Sequence, residues 1–212
     1  MKLEAADFHM GEMLETVREL IAPQAAAKGV RLSWEVRLAH DWFQADRMRI
    51  SQVLINLLGN AVKFTPPEGE VTLAVEAVSG GEGQTVLRFA VRDTGIGIPK
   101  EEQERVFRSF EQASANPSKQ QGTGLGLSIS SRLVQLMGSN IQLESAPGEG
   151  STFSFALALP LGRPVETGAG RKAVSFRGRR ILVVEDNELN AEIAQCLLEE
   201  RDFQVECVHD GV

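Results

Sequence analysis

The sequence predicts an α+β domain, a mixed but largely antiparallel sheet with helices packed on one face, followed by the opening of a parallel βαβ unit. Three observations carry this. Two amphipathic helical stretches precede Pro66, period-two strands come in two adjacent pairs around a later helix, and a continuous apolar strand begins at Arg180.

Met10, Met13, Leu14, Val17, Leu20 and Ile21 recur at helical spacing, so a first helix is expected from Phe8 to Lys28, with Gly29 as its stop and Pro23 as a candidate kink. A short strand follows over Arg31–Arg37. Asp46 is placed to cap a second helix with the stripe Ile50, Val53, Leu54, Leu57, Leu58 and Ala61, ended by Pro66-Pro67. Alternation at Val71, Leu73, Val75, Ala77 and at Leu87, Phe89, Val91 predicts two strands joined as a hairpin across Ser79–Gly83. From Thr94 to Thr123 the pattern lapses into polar, Gly- and Ser-containing chain with one short acidic helix, Lys100–Phe107, and so long an irregular stretch points to function. A third helix is expected over Leu125–Met137, ended by Gly138, and strands over Ile141–Ser145 and Ser151–Leu159 close the domain. In the tail, strands over Arg180–Glu185 and Val205–Val208 flank a helix over Leu189–Leu198, the βαβ opening.

With 42% hydrophobic and 24% charged residues over 212 positions, the chain is of the globular class, and disorder and low complexity are excluded. No run approaches the roughly 18 apolar residues of a membrane span, and the N-terminus lacks a signal-peptide core, so a cytoplasmic protein is expected. Cys196 and Cys207 have no paired spacing, and His9, His40 and His209 form no ligand cluster, which predicts a reducing compartment and no structural metal. The net charge of -7 is unevenly spread: residues 160–180 carry six basic and one acidic side chain, residues 181–212 one basic and nine acidic. The short basic stretch reads as a solvated linker rather than a nucleic-acid arm, and no nucleic-acid partner is expected.

Three stretches carry chemistry. On the second helix Asn56, Asn60 and Lys63 share one side. Asparagines lower helix propensity but offer neutral oxygen ligands suited to a hard cation such as Mg²⁺, with a lysine one turn on for phosphate. Asp93, in phase with Leu87, Phe89 and Val91, should point inward, where a buried carboxylate needs donors; Gly95 and Gly97 in Thr94-Gly95-Ile96-Gly97-Ile98-Pro99 let a flat ligand approach the backbone. A hydrogen bond from an exocyclic amine such as that of adenine would suit it; the bland alternative is a turn aspartate capping its own loop. Gly122-Thr123-Gly124-Leu125-Gly126-Leu127 precedes the third helix, as in loops that cradle phosphate, yet it has neither the ending of a P-loop nor a strand before it.

Together and in this order, Asn56–Phe64, Asp93–Pro99, Phe107-Arg-Ser-Phe110-Glu-Gln and Gly122–Leu127 resemble the N, G1, F and G2 boxes of sensor histidine kinases, whose ATP-binding domain has the Bergerat fold. The resemblance covers about residues 3–160. It implies that Asn56 and Asn60 hold Mg²⁺, that Lys63 reaches the phosphates and that Asp93 binds the adenine amine. Gly95, Gly97, Gly122, Thr123, Gly124, Leu125 and Gly126 would shape the pocket, and Phe107 and Phe110 would anchor a lid over about Pro99–Gln121. Ile181-Leu-Val-Val-Glu185-Asp186 resembles the first strand and acidic Mg²⁺ pair of a response-regulator receiver. The implied layout is a catalytic domain over 1–160, a linker over 161–179 and a receiver fragment over 180–212, as in a hybrid kinase of a phosphorelay. ATP and Mg²⁺ are the implied ligands. The implied partners are a histidine-bearing dimerisation hairpin of a homodimeric parent, for which the resemblance allows a membrane anchor in other segments, and a receiver or phosphotransfer domain.

Two departures matter. The family's phosphoacceptor, a His followed by an acidic residue on a helical hairpin before the ATP domain, has no match here; His9 stands at a helix start and is followed by Met10, and the sequence stops before the strand that carries a receiver's phosphorylated aspartate. A degenerate ATP-binding regulator and a conformational ATPase of the same superfamily are the rival readings. The first would be expected to lack a box, and the second would need a glutamate one turn before the metal-binding asparagine, where Asn56 stands.

Overall fold

The computed structural model describes residues 3–81, 83–107, 126–164, 179–184, 198 and 203–208. The chain divides into two compact units, Met1–Val165 and Glu166–Val212. Among the described residues no helix is long and apolar enough to cross a membrane.

The first unit opens with a strand the periodicity did not predict, β1 (Ala6–His9), which pairs antiparallel with a second unforeseen strand, β3 (Trp42–Ala45). Phe8 lies opposite Phe43, and both are buried. Helix α1 (Met10–Lys28) therefore starts two residues later than expected, with His9 as its N-cap. Gly29 ends it at φ 70°, its N–H returned to the carbonyls of Ala25 and Ala26. Pro23 lies inside the continuous helix. Of the predicted stripe, Leu20 is 53% exposed, and Ala25 takes the buried position one turn after Ile21.

Helix α2 (Arg47–Phe64) is capped as expected, the Asp46 Oδ1 accepting from the Arg49 N–H at 3.1 Å. At its other end the Thr65 hydroxyl donates to the Ala61 carbonyl at 2.7 Å, and the Lys28 ammonium donates to the carbonyls of Val62 and Lys63. A cation on these last carbonyls complements the helix dipole and ties α1 to the end of α2.

Five strands make the main sheet: β2 (Arg31–Arg37), β4 (Glu70–Gly81), β5 (Gln84–Asp93), β6 (Gln142–Ala146) and β7 (Gly150–Pro160), in the order β2-β4-β5-β7-β6. Only β2 and β4 run parallel. The β4–β5 hairpin has the expected alternation, with Leu73 opposite Val91 and Val75 opposite Phe89. Phe89 then stacks on Phe155 of β7, ring centroids 5.0 Å apart. The inward residues of β4, β5 and β7 and the stripes of α1, α2 and α3 (Gly126–Leu136) form one core on one face of the sheet. Burying each large side chain contributes roughly 1.5–3 kcal/mol, which makes this layer the main support of the unit.

The acidic helix expected over Lys100–Phe107 is instead a series of turns ending in a single 3-10 turn, Arg105–Phe107. Gln103 explains this in part: its amide donates to the carbonyls of Ile98 and Ser145, pinning the segment to the sheet end.

In the second unit, β8 (Arg180–Val184) and β9 (Gln204–Val208) pair in parallel, Ile181 opposite Val205 and Val183 opposite Cys207. The helix expected between them lies outside the described residues, apart from Leu198.

Candidate functional site

On α2, Asn56 and Asn60 are half-buried and Lys63 is exposed. The side they share is not open water along its length, because α3 lies against it. The Asn56 amide nitrogen donates to the Ser130 hydroxyl at 2.8 Å, and a Cβ on Gly126 would stand 2.2 Å from Asn56 Oδ1. A side chain there would have to displace the Asn56 amide. One helix thus meets both ends of the Asn56 amide.

Asp93 ends β5 and is 5% exposed, as its phase in the strand predicts. Its Oδ1 accepts from the Gly95 N–H at 2.8 Å. Burial raises the carboxyl above the usual carboxylate range, while the backbone N–H groups of Gly95 and Ser151 oppose that rise. These two donors leave part of the acceptor capacity of the carboxylate, about four lone-pair sites, for a ligand. Gly95 also leans on α2: a Cβ there would lie 2.7 Å from the Phe64 carbonyl oxygen. Gly126 and Gly95 therefore frame α2 at Asn56 and at Phe64, eight residues or about 12 Å apart along the axis.

The loop after Asp93 is held from the far hairpin. Gly97 has φ 68°, and a Cβ on it would come within 1.9 Å of the Ala146 carbonyl oxygen. The Ile98 N–H donates to Ser145 Oγ at 2.8 Å and the Gly148 N–H to the Ile96 carbonyl at 2.8 Å. Gly150, at φ 82°, packs on the carbonyl of Asp93, 2.0 Å from where its Cβ would be.

Sequence reasoning missed Phe64, Ser130, Ser145 and Gly150. Phe64 is 48% exposed at the C-terminal end of α2, its ring 5.1 Å from the Lys63 ammonium. An exposed aromatic closing an apolar helix was a usable signal, as was the Gly148-Glu149-Gly150 turn; Ser130 and Ser145 had none. Phe107 is half-buried, edge-on to Phe153 at 6.2 Å. Phe110, Gly122, Thr123, Gly124, Leu125, Glu185 and Asp186 lie outside the described residues.

Residues 45–161, from the end of β3 to just beyond β7, match the family described as histidine kinase-, DNA gyrase B- and HSP90-like ATPases, and this is more than half of the chain. The chain belongs to this ATPase family. Among curated members it is 44% identical to sensor histidine kinase AruS of Pseudomonas aeruginosa over 210 residues, 98% of this chain and 21% of that protein. The chain thus spans about a fifth of this relative. Among solved members, full-length ShkA in complex with AMPPNP is 30% identical with a TM-score of 0.65, covering 100% of this chain and 42% of that one. The nucleotide-free catalytic domain of histidine kinase ThkA is 29% identical with a TM-score of 0.62, covering 73% of this chain and 97% of that one. ThkA in complex with response regulator protein TrrA is also similar, with a TM-score of 0.60 at 28% identity, over 74% of this chain and 42% of that one. The family's ATP-binding α+β fold is thereby the fold of residues 45–161, and these relatives are sensor histidine kinases.

Proposed function

We propose that residues 1–160 are the ATP-binding catalytic part of a hybrid sensor histidine kinase, which presents the γ-phosphate of Mg·ATP to a histidine on another segment of its parent. The observation that carries this reading is the framing of one side of α2 by two glycine segments. Gly95 lies at the Phe64 end beside a buried carboxylate, and Gly126 lies at the Asn56 end beside an amide oxygen. A nucleotide laid along α2 would then have its adenine amine on Asp93, its ring edge beside Phe64 and its phosphates within reach of Lys63. Asn56 and Asn60 would hold Mg²⁺ through their neutral oxygens. Bound there, the cation would neutralise charge on the phosphates. The donor set fits it, since Asn56 has its nitrogen occupied by Ser130 and its oxygen in space that a side chain on Gly126 would fill.

The chain's own contribution is positioning: a buried carboxylate orients the base, and the helix side aligns the triphosphate. Hydrolysis by a water activated on α2 is disfavoured, because Ile55 packs against the core and Asn56, an amide, cannot accept a proton from water as a carboxylate does. We further read 161–179 as a linker and 180–212 as the start of a receiver, with Glu185 and Asp186 as its acidic pair; the parallel β8–β9 pair and the extent of the AruS match support this. The implied partners are a histidine-bearing hairpin in a homodimeric parent and, as in the ThkA–TrrA complex, a response regulator. We assign the catalytic part to the cytoplasm, where ATP is available.

Titration calorimetry with ATP, in Mg²⁺ and in chelator, tests the reading. Wild type should bind in both and more tightly with Mg²⁺. Asn60→Ala should fold and keep only the metal-independent part. An Asn60→Ala variant whose affinity still rises with Mg²⁺ as the wild type's does would reduce Asn60 to a solvated helix residue, and a chain that binds no nucleotide would favour a degenerate module.

A further inference from the structure

Ser130 stands on the buried side of α3, 1% exposed, one turn before Leu133 and Val134 of the core. A hydroxyl there is costly unless it is bonded, and alanine would favour the helix more. Toward α2, its Oγ accepts from Asn56 Nδ2 at 2.8 Å. Four residues earlier the same helix brings Gly126 against the other end of that amide, with room for Oδ1 but none for a Cβ.

An asparagine amide has a donor end and an acceptor end of nearly the same shape. It presents a dependable oxygen to a cation only if a neighbour occupies its nitrogen and holds its plane. We propose that Ser130 is the positioning residue for Asn56, holding its nitrogen so that Oδ1 stays turned to the side of α2 beside Gly126, where Mg²⁺ would accompany ATP. This rests on the reading of Asn56 as a metal ligand given above. Ser130 touches neither nucleotide nor cation; it acts through Asn56, as groups bonded to a ligand tune it elsewhere. Without the hydroxyl, the amide nitrogen would turn to find another partner and carry the oxygen away. The α2–α3 contact is then part of the metal site as well as of the core.

The test compares wild type, Ser130→Ala, Ser130→Thr and Asn56→Ala of the full 212-residue chain. Calorimetry measures ATP affinity in Mg²⁺ and in chelator, with circular dichroism to verify folding. Ser130→Ala should lower the ratio of the two affinities by about 2- to 10-fold, the worth of one hydrogen bond, while leaving the chelator value unchanged. Ser130→Thr, which keeps the hydroxyl, should retain the wild-type ratio. Equal loss in Mg²⁺ and in chelator, or loss in the threonine variant as well as in the alanine variant, would assign Ser130 to packing and overturn the proposal. A full ratio in Ser130→Ala beside a lost ratio in Asn56→Ala would overturn it while leaving Asn56 as ligand. A wild type indifferent to Mg²⁺ would remove the metal reading of Asn56 and this proposal with it.

Discussion

The Gly95 N–H points at Asp93 Oδ1, 2.8 Å away across a single residue, so the loop that follows β5 also holds the carboxylate at the strand's end. A carboxylate held this way accepts from its own loop with one oxygen and stays an acceptor for a ligand. In Asp93→Asn the amide oxygen would keep the Gly95 N–H, and the nitrogen would face the adenine amine and the Ser151 N–H, donor against donor. The expected cost is about 1–3 kcal/mol, or roughly 5- to 150-fold in ATP affinity, in a folded protein. Calorimetry on the folded variant measures it; unaltered affinity would remove adenine from Asp93.

Asp93 also sets a pH dependence. Burial raises its carboxyl above the usual range, so between the unfolded and folded titrations the folded state holds the proton and the unfolded state does not. Its contribution to stability is therefore greatest in acid and is lost as pH rises through the folded titration. Urea unfolding of wild type against Asp93→Asn should show the wild type losing ground as pH rises through that window. A donor from adenine favours the ionised form, so ATP binding there should release protons, seen as a dependence of the calorimetric heat on buffer ionisation. Proton uptake would contradict the assignment.

Gly97→Ala places a methyl where φ is 68° and the Ala146 carbonyl oxygen is 1.9 Å away. The left-handed backbone alone costs about 1–3 kcal/mol, and the clash with main chain adds to it, because a carbonyl in a hairpin cannot swing aside like a side-chain tip. Chemical denaturation should show a loss of at least that size. A variant as stable as wild type would mean that the loop is not seated on the β6–β7 turn.

His9 is a cap. Its Nδ1 accepts from the Glu12 N–H at 3.3 Å and its ring meets Trp42 edge-on at 5.3 Å, so its role is to start α1. His9→Ala should cost about 0.5–2 kcal/mol in thermal or urea unfolding and leave ATP affinity unchanged, while His9→Asp should recover the cap. Incubation of the chain with γ-labelled ATP should leave no acid-labile label on His9; label there would make it an acceptor rather than a cap.

Much of this was legible along the chain. The stripes of α1 and α2, the alternation of β4, β5 and β7, the inward phase of Asp93 and the shared side of Asn56, Asn60 and Lys63 follow from spacing within one element, because a helix or strand repeats its geometry every few residues. What the tertiary structure alone decided are relations between elements. The β1–β3 ribbon consists of two four-residue strands, too short to carry a period, and Phe8 finds Phe43 only when α1 has folded back. The parallel pairing of β2 with β4 leaves no trace in either strand's pattern. Ser130 meets Asn56 across 74 positions, and Gly150 meets Asp93 across the β5–β7 register. Periodicity records which face of an element is buried; which residue lies opposite is set by the packing of the elements that the faces bring together.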